Sequence, residues 1–485
     1  MSNLKTIKSI GLCSIFTVTL ALFASAQTVP SMPVSAPMFT PEERAAIVSY
    51  WNQPGRLTAL PPLNIATKGQ WRVRLTADGS KWLLKYQIAE GAAGAPPTVN
   101  PTAISGTSVW QTWVNERIAM DRFEAYIVAQ SLNNSLMLPT PVMFKTPPPD
   151  PGPIPPTLLA ACGNPPPFAN AVAPQESMVV FNDGDTYTYQ DNPRMSPGYA
   201  YYRFPAGSED GGQSVSSMSQ SDLDGLFKDA GLNPSQTKVA ESVSRLEGGF
   251  DAINTYDTGY VSIGFLQFIT AKNGDGDLMH VLAREKSDNL AAFDQDFHRF
   301  GIDITPQGVL DVVDPTTGAE LVGTDAVQDV IDFKTLTAVF QRAGRTSHAF
   351  RVAQIETALH DYWPAAVPIS VTVNGTVITG VVSDVVHSEA GMAVLFDRLV
   401  NRGSINPFPV VLQQIMQQHN FTTLAQTAPY EKLIIQKCVY RTNFLNDPNL
   451  SQPQDPPADT GSNTTLNPAG GPNVSGSGTT TTNDK

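Results

Sequence analysis

Between Asn233 and Phe268 the spacing of the apolar positions changes period. Val239, Val243 and Leu246 recur at helical intervals, whereas Val261, Ile263 and Phe265 alternate with Tyr260, Ser262 and Gly264 at the period of a strand. The pattern predicts a helix that runs into a β-hairpin. Asn233 is the expected helix cap, Pro234 suits the first position, and Gln236 is placed to reach back to the cap. Gly248-Gly249 is the expected stop, which puts Glu247 in the last turn, and Asp257-Thr258-Gly259 supplies the turn between two short strands.

The same reading predicts a helix opening at Thr40-Pro41, a hairpin pairing Trp71–Leu75 with Trp82–Tyr86 around Asp78-Gly79, and a longer helix from about Val109 to Ser131. Helical patterns dominate beyond about residue 221, interrupted by the motif hairpin and by a second hairpin at Asn374-Gly375. The expected fold class is α+β, a mainly helical domain carrying a β-hairpin plus a small α+β N-terminal module. The expected segments are 1–26, a leader; 27–140, the N-terminal module; 141–175, a proline-rich spacer; 176–447, the principal domain; and 448–485, a polar tail expected to be disordered.

Lys5 and Lys8, the apolar run from Ile10 to Phe23, and Ala24-Ser25-Ala26 read as a secretory signal cleaved before Gln27, so the expected location is secreted or periplasmic with no integral membrane segment afterwards. With 41% hydrophobic and 15% charged residues the chain can bury a sizeable core. The formal net charge is -13, and loss of Lys5 and Lys8 with the leader makes it -15, which argues against a nucleic-acid partner. Six scattered histidines and the lack of a CxxC pair argue against a zinc site. No metal or organic cofactor is expected. After Cys13 leaves with the leader, Cys162 and Cys438 remain, either as one long-range disulfide or as two buried thiols. Trp71, Trp82, Trp110 and Trp113 are candidates for stacking on sugar rings, although filling a small core is the preferred reading. Tyr187, Tyr189, Tyr199, Tyr201 and Tyr202 suit either cleft subsites or a packed edge.

A carboxylate in the last turn of a helix faces the negative end of the helix dipole. Partial burial against Leu246 and Phe250 would further disfavour its ionised form, which is how a general acid is prepared. Glycoside hydrolysis uses such an acid with a second carboxyl group across the sugar ring. Asp257 is the best-placed second group, with Asp251 in reserve.

Glu247-Gly248, Asp257-Thr258, Gly259-Tyr260 and Ser262-Ile263-Gly264 resemble the Glu, Asp and hydroxyl constellation of phage-type lysozymes. Gln267 departs from that pattern, and Gly264-Phe265-Leu266-Gln267 is similar to the corresponding segment of goose-type lysozymes and lytic transglycosylases. Downstream, SEAGMAVLFDRLVNRG from Ser388 to Gly403 is similar to a helix found under the cleft of several lysozyme-like and chitosanase-like hydrolases. The resemblance implies a lysozyme-like catalytic domain in which Glu247 is the acid, Asp257 faces the attacking water and Ser262 helps to hold that water. Tyr256, Tyr260 and Gln267 are the expected substrate-binding residues. The function so implied is hydrolysis of an aminosugar polymer, peptidoglycan foremost. A lytic transglycosylase or chitosanase is the enzymatic alternative, and a non-catalytic cell-wall-binding protein of the same fold is the alternative of another class.

Overall fold

A computed structural model describes residues 37–60, 71–93, 107–140, 142–193, 203–246 and 248–457. They form a mixed α+β structure in which small antiparallel sheets are set among helices. Helices open where the sequence caps them. Thr40 Oγ1 accepts from the Glu43 amide at 3.2 Å and Glu43 reaches back to the Thr40 amide at 2.8 Å, which starts the helix Pro41–Trp51. Asn233 Oδ1 accepts from the amides of Ser235 and Gln236 while Gln236 Oε1 accepts from the Asn233 amide, which starts the helix Pro234–Ser244.

The apolar stripe of that helix, Val239, Ala240 and Val243, enters the main core and packs on the helix Glu389–Arg402. The latter is capped by Ser388, buried from Glu389 to Asp397, and ended by Gly403 in the left-handed region. Asn374 and Gly375 both have positive φ and join the strands Pro368–Val373 and Thr376–Val381, the tight hairpin their sequence predicts. No helix among the described residues is long and apolar enough to cross a membrane.

The predicted hairpin at 71–86 is replaced by a strand and a helix. Arg72–Leu75 pairs with Ala169–Val172, and Trp82–Tyr86 lies inside the helix Ala77–Ala93. Thr76 decides the outcome: its Oγ1 accepts from the Gly79 amide at 2.9 Å and its carbonyl accepts from the Ser80 amide at 2.9 Å, so a helix starts where a turn was expected. Trp82 and Tyr86 then stand one turn apart with their rings parallel at 6.0 Å.

The proline-rich stretch is packed rather than a free spacer. Buried indoles need acceptors, and this stretch supplies them. Trp82 Nε1 donates to Gly163 O at 3.0 Å, Trp113 Nε1 to Gly152 O at 3.1 Å, and Trp110 Nε1 to Thr157 Oγ1 at 2.9 Å. The stretch contains the short helix Pro156–Cys162, and its Leu158 and Phe168 are fully buried. Three of the four tryptophans therefore fill a second core, together with Leu75, Tyr86 and Cys162. Packing divides the chain differently from the expected boundaries at 140 and 175. Phe39, Ile47 and Trp51 belong to the main core, and the strand Leu57–Leu60 pairs with Glu176–Val180.

Cys162 and Cys438 are separate buried thiols in the two different cores, and the long-range disulfide is not formed. Cys438 Sγ donates instead to Ile434 O at 3.3 Å. Residues 458–485 of the predicted tail, and the predicted leader, lie outside the described residues.

Candidate active site

The motif hairpin belongs to a four-stranded antiparallel sheet with the order Glu209–Asp210, Ile253–Asn254, Ser262–Ile263 and Phe268–Ile269. Each strand is two residues long, so the register sorts every side chain to one of two faces. Asp210, Ile253, Ile263 and Phe268 form one row, and its three apolar members are buried in the main core. Glu209, Asn254, Ser262 and Ile269 form the other. Three polar side chains are thereby placed side by side by strand pairing alone.

Asp257 caps this polar row from the turn. Its Oδ1 accepts from the Gly259 amide at 2.9 Å and its Oδ2 from Asn254 Nδ2 at 2.8 Å, while Asn254 Oδ1 accepts from the Tyr256 amide at 3.0 Å. Burial raises the Asp257 carboxyl above the ordinary aspartate range; the two hydrogen bonds and the positive charge of Arg203 oppose it without cancelling it. Ser262 is 4% exposed. Its Oγ and Asp257 Oδ1 lie 2.7 and 3.3 Å from the point that a Cβ on Gly259 would occupy, so carboxylate and hydroxyl flank the same small space.

A second carboxylate stands beside them. Tyr256 donates its hydroxyl to Glu209, whose carboxyl is raised first by burial and further by the negative charge of Asp257. Glu209 nonetheless opens to solvent along a groove of about 470 Å³ that it lines with Arg72, Arg74, Gln190 and Pro193. Arg74 Nε donates to Asn192 O at 2.8 Å. One wall of this groove thus comes from the strand Arg72–Leu75, and Tyr256 packs against the tryptophan-rich second core. The N-terminal module is part of the site's surroundings.

The chain from 203 to 210 lies tightly along the hairpin. Thr255 N donates to Ser208 O at 2.9 Å, Ser208 N to Thr255 Oγ1 at 2.9 Å, and Arg203 N to Tyr256 O at 2.6 Å. Glycine is required at Gly207, where a Cβ would fall 2.5 Å from Thr255 O and 2.6 Å from Tyr256 Cα. On the other side Gly264, at φ 85°, abuts Gln354, which accepts from the Phe265 amide at 3.2 Å and donates to Phe250 O at 3.0 Å.

The residues singled out from sequence therefore fall into several groups. Asp257, Ser262 and Tyr256 are brought together. Tyr260, at φ 68°, packs its ring on Phe204 with centroids 5.3 Å apart and donates its amide to Asp257 O at 3.3 Å, so it shapes the turn. Gln267 spends its side-chain amide on Gly264 O at 3.0 Å, closing the next turn. Glu247 lies outside the described residues. The helix before it ends at Ser244, earlier than the glycines, because Leu246 N turns back to Val243 O at 3.0 Å; beyond it Gly249 N donates to Gly211 O at 3.0 Å.

Asp251, the carboxylate held in reserve, is committed to structural contacts. It is 1% exposed, paired with Arg345 Nε at 2.7 Å, and accepts from the Gln213 amide at 2.7 Å. Tyr187 and Tyr189 are core residues rather than cleft subsites, while Tyr199, Tyr201 and Tyr202 lie outside the described residues.

Glu209, Asn254 and Arg203 escape sequence reasoning. For Asn254 a signal exists, since Asn-Thr-Tyr-Asp places an amide three residues before a turn carboxylate. Glu209 carries none, because only strand pairing brings it to the hairpin. Among the described residues no group of three or more His, Cys, Asp or Glu side chains is arranged to hold a metal ion. Comparison with known protein families, with curated proteins and with solved structures found no match.

Proposed function

We propose that this protein is a secreted or periplasmic glycoside hydrolase of the lysozyme-like kind, cleaving an aminosugar polymer, most of all peptidoglycan, by carboxylate general acid/base catalysis. The observation that carries the reading is the cluster of Asp257, Ser262, Tyr256 and Glu209 on the polar face of the hairpin, beside an open groove. In this reading an ionised Asp257 draws a proton from a water that the Ser262 hydroxyl helps to hold, and that water attacks the anomeric carbon. Glu247, assigned through the sequence resemblance, gives its proton to the departing sugar oxygen. Arg72 and Arg74 on the groove wall suit a polymer bearing carboxylates, which favours peptidoglycan over the polycation chitosan despite the acidic net charge of the whole chain.

The test is incubation of the full chain with purified peptidoglycan and, in parallel, with chitosan, followed by product analysis. New reducing ends support hydrolysis and anhydro-sugar ends identify a transglycosylase. Sedimentation with wall material without cleavage identifies the non-catalytic binder and overturns the reading.

The acid limb of the activity profile supplies a sharper expectation. Asp257 must be ionised to accept the water's proton and its carboxyl is raised by burial, so activity should fall with decreasing pH above the range of an ordinary aspartate. Asp257→Asn should lower kcat by about 10²-fold or more and remove that limb. Ser262→Ala should cost about tenfold or less, the value of one hydrogen bond to the water. An acid limb unchanged in Asp257→Asn, measured in the same buffers, would show that Asp257 is not the base.

A further inference from the structure

Away from the hairpin, a cavity of about 750 Å³ opens between the helices Leu278–Asp288 and Leu290–Asp296, the end of Lys334–Thr346 and the start of His348–Tyr362. Its lining is acidic. Asp229, Glu285, Asp288, Asp296 and Glu356 line it together with one guanidinium, Arg342, and one imidazole, His348. Arg342 pairs outside the cavity with Asp183 at 2.5 Å and Asp185 at 3.5 Å, and His348 Nε2 pairs with Asp229 of the lining at 3.0 Å. Arg284 lies 3.8 Å from Glu356.

Glu285 sets this cavity apart from a plain acidic patch. It is 1% exposed, no nitrogen or neutral hydroxyl donor of the described residues reaches either carboxyl oxygen, and its hydrogen-bond partner is the carboxyl group of Asp296. Asp296, 8% exposed, stands next to it, and the nearest guanidinium nitrogen, Arg342 Nη1, is 3.9 Å away, beyond hydrogen-bond reach. Buried carboxyl oxygens without donors are costly unless a ligand supplies them.

We propose that this cavity binds a ligand carrying a primary ammonium group, which donates its N–H bonds to Glu285 and Asp296. An ammonium offers three donors and no acceptor, the complement of two carboxyl groups that have only acceptors when ionised. A divalent metal fits less well, because it needs more converging oxygens than this pair provides, and no such group is formed among the described residues. The volume suits a monosaccharide or an amino acid. The amine could therefore come from a de-N-acetylated aminosugar or from the side chain of a diamino acid. The cavity is distinct from the hairpin groove, so this assignment does not rest on the proposed hydrolase activity.

Without a ligand, burial and then the charge of Asp296 push Glu285 up to about 9, so the pair keeps one proton at neutral pH. Binding an ammonium should expel it. The folded-state value lies above the unfolded one, so Glu285 contributes stability that is fully present below the unfolded value of 4.5 and is lost as pH rises toward about 9. Glu285→Gln should fold and should lose less stability than the wild type between the acid and alkaline ends of that window.

The experiment is isothermal titration of the full chain with glucosamine, 1,5-diaminopentane and N-acetylglucosamine, near neutral pH, in two buffers of different ionisation enthalpy. Both amines should bind with release of close to one proton, and N-acetylglucosamine should not. Tighter binding of glucosamine assigns the sugar source, and tighter binding of the diamine the peptide source. Glu285→Gln should weaken binding at least tenfold and abolish proton release, while Asp288→Asn at the exposed rim should weaken it less. The proposal is overturned if neither amine binds, if N-acetylglucosamine binds as well as glucosamine, or if Glu285→Gln leaves affinity and proton release unchanged. Displacement of the amines by lower concentrations of magnesium or calcium would also overturn it.

Discussion

In the proposed hydrolase, replacing Glu247 by Gln is expected to reduce turnover by about 10³-fold, since an amide keeps the shape of the carboxyl group but cannot deliver a proton to the leaving oxygen. The variant should keep its far-ultraviolet circular dichroism and urea midpoint. The necessary comparison is Glu209→Gln, because Glu209 stands on the polar row of the hairpin with its carboxyl raised by burial and by Asp257. A modest loss in Glu209→Gln beside a near-complete loss in Glu247→Gln supports the assigned donor. The reverse result would move the donor to Glu209 and make the Glu209–Asp257 pair the catalytic one. Both readings fail if the two single variants each retain near-normal turnover.

The parts of this arrangement legible in the sequence are those fixed by local chemistry. Asn233, Pro234 and Gln236 announce a helix start because the cap bonds span only a few residues. Val261, Ile263 and Phe265 mark buried positions because strand periodicity is local too. The hairpin at 71–86 is misread for an equally physical reason. Trp82 and Tyr86 satisfy spacing for both a strand and a helix, and the deciding bond is made by Thr76, just outside the apolar run. What sequence hides is everything made at long range. Glu209 meets Asn254 through pairing, and Arg72 reaches the groove only because its strand pairs with residues 169–172. The proline-rich stretch reads as a spacer from composition, whereas two of its carbonyls and one of its hydroxyls are the acceptors for three indoles distant in sequence. Asp251 and Asp257, near neighbours in the chain with the same side chain, have different partners. The difference is Arg345, which no local pattern could reveal.

That ion pair carries the largest expected effect on stability. Asp251 is 1% exposed and ties three segments together: its own, the loop at Gln213 through the amide, and the helix Lys334–Thr346 through Arg345. Arg345 also places its guanidinium 4.9 Å from the centre of the Tyr187 ring. Arg345→Leu would leave a buried carboxylate with one amide donor and only the charge of Arg351 nearby, a change of a kind that typically costs about 3–5 kcal/mol. The side chain of Arg345 is 31% exposed, so water can partly replace the guanidinium and the loss should lie toward about 3 kcal/mol. Adding Asp251→Asn to Arg345→Leu should recover part of it, since the amide removes the unpaired charge and can keep the bond from Gln213 N. Urea unfolding of the wild type, both single variants and the double variant closes the cycle. Additive losses with no coupling would show that the pair is a surface contact in energetic terms. The cycle also separates structure from chemistry beside the hairpin. Asp251→Asn should lower stability more than kcat, whereas Asp257→Asn should lower kcat and shift the urea midpoint less, because its carboxyl gives up one of two hydrogen bonds and no ion pair.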